Sequence, residues 1–219
     1  IALREEKLII CKKKGPISNM EEILKKSDSN LAIAHTRWAT HGSVNESNAH
    51  PHMSFDDQLS VCVVHNGIIE NYLELRKNLE DLNYKFESQT DTEVIAHLLH
   101  YLRKNTKTFL KAIVELQGKL HGAYAITALC SFDKGQIFGL KFGVPLVVGF
   151  SKKPIAGSYI SSDSSALISK AEKVMYLEDG DIVKISAQEP MIFNSEFSQI
   201  KRELHDLYLT ENQISLGPY

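Results

Sequence analysis

Helices and strands are predicted in separate blocks of this chain, and this order constrains the fold more strongly than any other feature. Three helices are predicted in succession between residues 71 and 117. Six strands follow, at 123–130, 136–141, 145–150, 157–161, 173–177 and 181–186, with one short helix at 163–170. Parallel α/β folds need strands and helices in strict alternation, which this order lacks. We therefore predict an α+β fold in which antiparallel sheets are covered by helices.

The three consecutive helices rest on start signals and apolar stripes. Asn71 and Glu74 form a capping pattern at the start of the first helix. The apolar stripe of this helix consists of Leu75, Leu79 and Leu82. Thr92 begins the second helix, and the third covers 108–117. The chain is thus predicted to form three helices in succession before the run of strands begins.

The residues before this layer are predicted to form short elements and a long loop. A strand at 8–11 precedes a helix at 18–26, and the apolar run 31–36 is predicted to form a buried strand. Residues 38–58 lack periodicity and are rich in polar and turn-forming residues, so we predict a long surface loop. Loops of this length in compact domains are commonly functional or disordered.

The β-branched run 59–65 predicts a strand that ends at the pair Asn66-Gly67. Strand alternation places Val61, Val63 and His65 on one face and Cys62, Val64 and Asn66 on the other. An Asn-Gly pair after a strand is most often a tight turn. A turn is therefore the simpler interpretation of this pair.

Composition limits the class of protein. A chain of 219 residues can build one substantial core, so we expect a single domain over 1–219. With 25 basic and 27 acidic residues, the formal net charge of −2 gives no overall field for nucleic acid or an anionic membrane. No apolar run approaches the roughly 20 residues of a membrane-spanning helix. The odd number of cysteines fits a reduced, cytoplasmic setting.

Both ends of the sequence read as interrupted. Ile1-Ala2-Leu3 begins as if inside a strand, and Leu216-Gly217-Pro218-Tyr219 reads as the start of a connection. We therefore expect this sequence to be a fragment of a longer chain.

Three short clusters carry side chains suited to amino-acid chemistry. Arg37 offers a planar guanidinium that fits a carboxylate, and Asp91 could receive an ammonium group. Together they form a minimal recognition set for a zwitterionic α-amino acid. Asn66 and Gly67 provide a side-chain amide and an unhindered backbone N–H next to each other, as in an oxyanion hole.

Each cluster also has a purely structural interpretation. Asp91 precedes Thr92 and Glu93, where acidic residues commonly stabilise the start of a helix. Arg37 can pair with any surface carboxylate, and Trp38 can be part of an ordinary core. Only the combination of the clusters favours a site.

Histidine is unusually dense near these clusters: His35, His41, His50, His52 and His65. No HExxH or Cys-x-x-Cys pattern accompanies them, and zinc sites commonly show one. Pro51 favours an extended backbone that points the rings on either side of it apart. Cys62 and Cys130 fall in strands, where thiols are commonly buried and inert. We expect no metal, no cofactor and no nucleophile among the cysteines present.

At the level of whole motifs, the sequence resembles a known family. The motifs are AHTRWATHG (34–42), NAHPH (48–52), VVHNGIIENY (63–72) and TDTEVIAHLL (90–99), followed by LHGAYAI, GVPLVVG and LEDGDIVKI. They resemble the glutaminase domain of the glutamine–fructose-6-phosphate aminotransferases, which synthesise hexosamines. The resemblance covers nearly the whole chain and keeps the motifs in order.

This resemblance implies a fold and a set of roles. The fold would be the four-layer αββα sandwich of the N-terminal-nucleophile hydrolases. Arg37 would bind the glutamine α-carboxylate, helped by Thr40 and His41, and Asp91 would bind the α-ammonium. Asn66 and Gly67 would hold the oxyanion. The resemblance also assigns Trp38 to a loop that closes over glutamine and gates the passage of ammonia.

The sequence departs from the family in its nucleophile. The family uses an N-terminal cysteine whose own α-amine acts as the base, whereas residue 1 of this sequence is Ile1. We therefore expect a chain that begins at Ile1 to have no glutaminase activity. Residues 205–219 resemble the start of the linker to the sugar-isomerase domains, which use fructose 6-phosphate, and the parent enzyme is expected to be a homo-oligomer.

Two alternatives to a glutaminase of this family stay open. The chain could be a catalytically inactive module that binds glutamine or regulates a partner. It could also be the glutaminase domain of another class II amidotransferase, although the purine-pathway enzymes typically have tyrosine in place of Trp38.

Overall fold

The computed structural model describes residues 2–4, 7–15, 29–37, 45–151 and 157–207. The three helices are α1 (Tyr72–Asp81), α2 (Asp91–Asn105) and α3 (Phe109–Gln117). The strands are β1 (Ala2–Arg4), β2 (Lys7–Ile9), β3 (His52–Phe55), β4 (Ser60–Ile69), β5 (Gly122–Cys130), β6 (Ile137–Phe142), β7 (Val147–Ser151), β8 (Gly157–Ser161), β9 (Lys173–Tyr176), β10 (Ile182–Ile185), β11 (Met191–Phe193), β12 (Gln199–Ile200) and β13 (His205–Asp206).

Two antiparallel sheets form the centre of the fold. The larger has seven strands in the order β12-β11-β10-β6-β5-β4-β3, and the smaller has four in the order β13-β9-β7-β8. All of their ladders are antiparallel. The predicted α+β class with antiparallel sheets is therefore confirmed.

Helices α1, α2 and α3 cover one face of the seven-stranded sheet. Val61 and Val63 of β4 are buried on this face, against α2 residues such as Ile95 and Leu99. Two of the helices begin with a capping threonine. The Thr90 side chain accepts a hydrogen bond from the backbone N–H of Glu93, and the Thr108 side chain accepts one from the backbone N–H of Lys111. The predicted alternation of β4 and the three successive helices are confirmed.

The opposite face of the large sheet packs on the small sheet. Cys62 and Val64 of β4 share this second core with Val148 and Phe150 of β7. Leu8 of β2, which pairs with β1, and Ile10, which follows β2, also pack against this core. Beyond the small sheet, Leu167 of a 3₁₀ turn (Ser164–Leu167) packs on its outer side. The order of layers is therefore helix, sheet, sheet and turn.

Several predicted elements differ from the structure. The apolar run 31–36 forms no regular strand. The side chain of Ile33 is nevertheless buried in the core between the sheets, which accounts for the apolar character of the run. The predicted loop 38–58 contains β3, which pairs with β4. Within the predicted helix 163–170, only Ser164–Leu167 are helical, and they form a 3₁₀ turn. Leu82 follows the end of α1 and is 48% exposed.

Other differences concern the ends of the chain. The short strands β11, β12 and β13 carry too few residues to show a pattern in sequence. The predicted helix at 18–26 lies outside the described residues. Within the described part of the chain, no helix is long and apolar enough to cross a membrane.

Candidate functional site

The pair Asn66-Gly67 lies inside strand β4, so the predicted strand end and the tight-turn interpretation are wrong. β4 continues to Ile69, and Gly67 pairs with Tyr124 of β5. Gly67 has φ +121°, and a Cβ at this position would lie 2.1 Å from the carbonyl oxygen of Ala123. The strand can therefore run past β5 at this point only with a glycine.

Asp91 is the first residue of α2, but it is not the capping residue. Thr90 takes that position, while the Oδ2 atom of Asp91 accepts a hydrogen bond of 2.9 Å from the backbone N–H of Ile69. The carboxylate is thus tied to the end of β4 and lies near the positive end of the helix dipole. This bond brings the Asp91 cluster and the Asn66-Gly67 cluster together.

One cavity of about 420 Å³ joins the predicted clusters. Its lining includes Arg37, Asn66, Gly67 and Asp91, although these residues are far apart in the sequence. The remaining lining residues are His35, Thr36, His50, His65, Ile68, Tyr72, Gln89, Thr90 and Thr92. The predicted site residues Trp38, Thr40 and His41 lie outside the described residues.

The charge pattern of the cavity suits a zwitterion. Among the described residues that line it, Arg37 brings a positive charge and Asp91 a negative one. Asn66 adds an amide next to the exposed backbone of Gly67. Such a cavity can pair both charges of an α-amino acid and surround a polarised carbonyl with hydrogen-bond donors.

Three histidines form a layer beneath Asn66 and Asp91. His35 Nε2 lies 2.6 Å from Asn66 Oδ1, and its ring packs on that of His50 with 4.2 Å between the centroids. His50 Nδ1 accepts a hydrogen bond of 3.4 Å from the backbone N–H of His65. The other nitrogen of His50, Nε2, lies 3.2 Å from Thr92 Oγ1.

These contacts determine which nitrogen of His50 carries its proton. Because Nδ1 of His50 accepts, Nε2 is the protonated nitrogen and donates to Thr92. His65 Nδ1 also lies 3.2 Å from the Thr92 hydroxyl, which itself donates over 3.4 Å to Asp91 Oδ1. Thr92 therefore connects two neutral imidazoles to the carboxylate of Asp91.

Burial keeps this histidine layer uncharged. It lowers the pKa of His35 and, more strongly, that of His50. Burial also lowers the pKa of His65 to about 4, although the nearby Asp91 carboxylate opposes the shift. At neutral pH the rings therefore act as donors and acceptors without adding charge to the cavity.

The NAHPH segment holds the loop that leads into α2. Asn48 Oδ1 accepts the backbone N–H of Gln89 at 3.0 Å, and His52 Nε2 lies 3.0 Å from Thr90 Oγ1. His50 and His52 both turn toward this loop, with 5.3 Å between their ring centroids. The expectation that Pro51 points the two rings apart is therefore wrong, because both rings bind threonines of the same short segment.

Two of the cysteines are unsuited to nucleophilic chemistry. Burial raises the pKa of Cys62 to about 12 and that of Cys130 to about 11. Cys62 also donates its thiol to the carbonyl of His52 at 3.2 Å. Both thiols are protonated at neutral pH and lie in the cores.

Sequence reasoning selected Arg37, Asn66, Gly67 and Asp91, but it missed the residues that support them. His35 and Thr92 line the cavity and hydrogen-bond to site residues. The available signal was the position of His35 in AHTRWATHG and of Thr92 in TDTEVIAHLL. A dense group of histidines suggests metal ligation first, and that interpretation directs attention away from hydrogen bonding.

The chain is similar to a known family and to named members of it. The family described as "Glutamine amidotransferase domain" matches residues 35–168. A Bordetella pertussis protein named glutamine–fructose-6-phosphate aminotransferase [isomerizing] is 41% identical over 85% of this chain and 30% of its own length. A protein of the same name from Photorhabdus laumondii is 46% identical over 78% of this chain and 27% of its own length. The chain thus spans about 30% of the length of the curated relatives it matches.

A solved structure supports the fold. Glutamine phosphoribosylpyrophosphate amidotransferase from B. subtilis matches with a TM-score of 0.62 over 75% of this chain and 35% of that protein, at 24% identity. This likeness confirms the predicted fold of the N-terminal-nucleophile type. The chain belongs to the class II glutamine amidotransferase domain family.

Proposed function

We propose that the cavity binds L-glutamine and that the chain is the glutaminase part of a glutamine–fructose-6-phosphate aminotransferase. One observation carries the proposal: Arg37, Asp91 and the Asn66-Gly67 pair line the same cavity of about 420 Å³. This is the set of groups that a free amino acid with a side-chain amide requires. The relatives that share this name support the choice of enzyme.

In the proposed complex, each charged group of glutamine meets a partner. The guanidinium of Arg37 binds the α-carboxylate, and the Asp91 carboxylate binds the α-ammonium. Thr40 and His41 assist Arg37, and Trp38 closes over the bound glutamine. The side-chain amide then lies at Asn66 and Gly67, whose N–H groups stabilise the negative oxygen that forms on attack.

The proposed reaction consumes water and releases ammonia. The thiolate of an N-terminal cysteine attacks the side-chain carbonyl carbon, ammonia leaves, and water hydrolyses the resulting thioester to give glutamate. The resemblance assigns this cysteine to a position ahead of Ile1. We propose that the ammonia converts fructose 6-phosphate to glucosamine 6-phosphate in a sugar-isomerase part of the same enzyme.

The remaining proposals concern the whole protein. We propose that residues 1–219 form a single domain, that residues 205–219 begin the linker to the isomerase part, and that the enzyme is a homo-oligomer. The three free cysteines are in keeping with a cytoplasmic enzyme.

Calorimetric titration of the chain with two ligands tests the binding proposal. L-glutamine carries the α-ammonium, whereas glutaramate lacks it and keeps the carboxylate and the amide. We expect Asp91→Asn to weaken L-glutamine binding about 10- to 100-fold, since a charged hydrogen bond contributes about 1.5–3 kcal/mol. The same substitution should leave glutaramate binding nearly unchanged.

The control is Asp57→Asn, which removes an exposed carboxylate in the turn before β4. It should leave both dissociation constants unchanged. Equal losses for both ligands in Asp91→Asn, or no L-glutamine binding by the unaltered chain, would contradict the proposal. Release of glutamate and ammonia by the full-length enzyme separates a glutaminase from an inactive glutamine-binding module.

A further inference from the structure

We propose that His35 is a positioning residue that fixes the orientation of the Asn66 amide. This inference rests on the proposed function, because the amide matters only if Asn66 donates to an oxyanion. His35 Nε2 lies 2.6 Å from Asn66 Oδ1, a short contact between side chains 31 positions apart. An N–H donor at Nε2 of His35 binds the amide oxygen of Asn66 and thereby keeps this oxygen away from the reacting centre.

The two ends of an asparagine amide have opposite effects on a developing negative charge. With Oδ1 bound to His35, the Nδ2 group is the end left to face the cavity, and its N–H bonds can stabilise an oxyanion. In the reversed orientation, Nδ2 would donate to His35 and Oδ1 would face the cavity. An oxygen in that position would repel the oxyanion.

The surroundings of His35 favour a proton on Nε2. The ring is neutral because burial lowers its pKa, so it carries one N–H. Its Nδ1 atom is buried and makes no hydrogen bond of good geometry within the described ranges, although the backbone of His65 lies close enough to the ring to oppose the lowering of its pKa. The Nε2 atom has an oxygen at 2.6 Å, and a protonated Nε2 is the state that makes this contact favourable.

The position of the ring is set by the histidine layer. Its face packs on His50 with an interplanar angle of 30°. His50 is held on both nitrogens, by the backbone N–H of His65 and by the Thr92 hydroxyl. The His35 ring thus packs on a ring that is itself held in place. This packing keeps Nε2 of His35 directed at Asn66.

Two matched substitutions test this role in the full-length enzyme. His35→Gln places an amide N–H close to the position of Nε2, whereas His35→Asn places the same group one carbon short, near Nδ1. We expect His35→Gln to keep kcat for glutamine hydrolysis within about 3-fold of the wild type. His35→Asn should lower kcat about 10- to 100-fold with KM for glutamine changed less than about 3-fold, since the oxyanion forms only after binding.

Coupling to Asn66 separates positioning from a general structural effect. In an Asn66→Ala background there is no amide to orient, so His35→Asn should cause no further loss of kcat. An equal fold-loss in both backgrounds would overturn the proposal. A rise in KM with kcat retained, or equal kcat for the Gln and Asn variants, would overturn it as well.

A second readout needs no activity. Long-range ¹H–¹⁵N NMR correlation on the chain itself reports which nitrogen of His35 is protonated. We expect the Nε2–H form, with an N–H signal that exchanges slowly with water and becomes fast in Asn66→Ala. An Nδ1–H form would overturn the inference. If the Nε2–H form is found but L-glutamine fails to bind, the proposed function fails and the hydrogen bond stands.

Discussion

Thr92 is the residue through which two histidines reach the carboxylate of Asp91. Its hydroxyl receives the N–H groups of His50 and His65 and donates its own proton to Asp91 Oδ1. The side chain is almost fully buried, so water does not compete for these bonds. Asp91 therefore has a fixed orientation before any ligand arrives.

Thr92→Val tests this orientation with little change in side-chain shape. The valine keeps the volume but loses the hydroxyl, so Asp91 loses one donor and both imidazoles lose an acceptor. We expect L-glutamine to bind about 5- to 10-fold more weakly, which corresponds to a net hydrogen bond of about 1 kcal/mol. Calorimetry on the chain measures the change.

The matched control is Thr106→Val at the other end of α2, where the threonine follows the last helical residue. This variant should bind L-glutamine like the unaltered chain. Unchanged binding in Thr92→Val would show that Asp91 does not depend on the threonine.

At this scale the sequence predicts the groups with a distinct chemistry and misses those that orient them. Arg37 and Asp91 carry full charges, and Asn66-Gly67 is an unusual pair of neighbouring donors. His35 and His50 instead act through partners 31 and 42 positions away. A single sequence contains no signal for a hydrogen bond of that separation.

Among the elements, the first turn of α2 depends on a buried carboxylate. Glu93 accepts hydrogen bonds from the backbone N–H groups of Glu87 and Ser88 and from the Ser88 hydroxyl, at 2.6–2.8 Å. Burial alone would raise the pKa of Glu93, but hydrogen bonds from His97 and from these donors lower it to about 2. The charged carboxylate therefore holds the loop before Asp91 in place.

Glu93→Gln should destabilise the protein, because an amide of the same shape offers one acceptor where three donors converge. We expect a decrease of about 1–3 kcal/mol in the free energy of unfolding at pH 7, measured by urea denaturation. The pKa in the folded state lies below the ordinary value of 4.5. The stability that the carboxylate contributes is thus present above that value and is lost as pH falls toward 2.

Glu80→Gln is the control, since Glu80 is exposed on α1 and its ion pair is with Arg76 of the same helix. Its effect should stay below about 0.5 kcal/mol. A loss as small as this in Glu93→Gln would contradict the proposed role of the buried carboxylate.

The helices could be predicted more completely than the strands. Apolar stripes are local signals, and the predicted starts of α2 and α3 lie within one residue of the observed ones. The continuation of β4 through Gly67 depends on the carbonyl of Ala123 in the neighbouring strand. Because that neighbour is distant in sequence, the local Asn-Gly pattern suggested a turn.

Across the whole molecule, the buried histidines make stability depend on pH. Burial lowers the pKa of His52 to about 3 and that of His65 to about 4, and it lowers the pKa of His50 as well. In the unfolded chain these side chains bind protons below about pH 6.5. The folded protein binds them only at lower pH, so acid favours the unfolded state.

We therefore expect the free energy of unfolding to fall as pH drops from about 6.5 to 4.5. Each such histidine adds a slope of up to about 1.4 kcal/mol per pH unit. Urea denaturation at pH 7.5, 6.0 and 5.0 measures the slope. His52→Gln keeps a hydrogen-bonding group near Thr90 but cannot bind a proton, so the free energy of unfolding should depend less steeply on pH.

His121→Gln removes one exposed histidine and serves as the control. If the slope in His52→Gln is as steep as in the unaltered protein, the assignment of part of the pH dependence to His52 is contradicted. The α+β class with antiparallel sheets could be predicted because helices and strands come in separate blocks of the sequence, whereas the order of layers was implied only by the family resemblance. The meeting of three histidines at one cavity could not be predicted, since it depends on how β3, β4 and the segment before them assemble.

The balance of charge in the cavity has a consequence for the end of the proposed reaction. Within the described lining, Arg37 and Asp91 supply the full charges, and Asn66 and Gly67 are neutral. In the proposed reaction, glutamine presents an uncharged amide to Asn66 and Gly67, whereas glutamate presents a second carboxylate that meets no charged side chain among the described lining residues at that pair. Removing that carboxylate from water without a counter-charge is unfavourable. On the proposed function, we expect the cavity to hold glutamate less tightly than glutamine, which favours release of the product after each reaction.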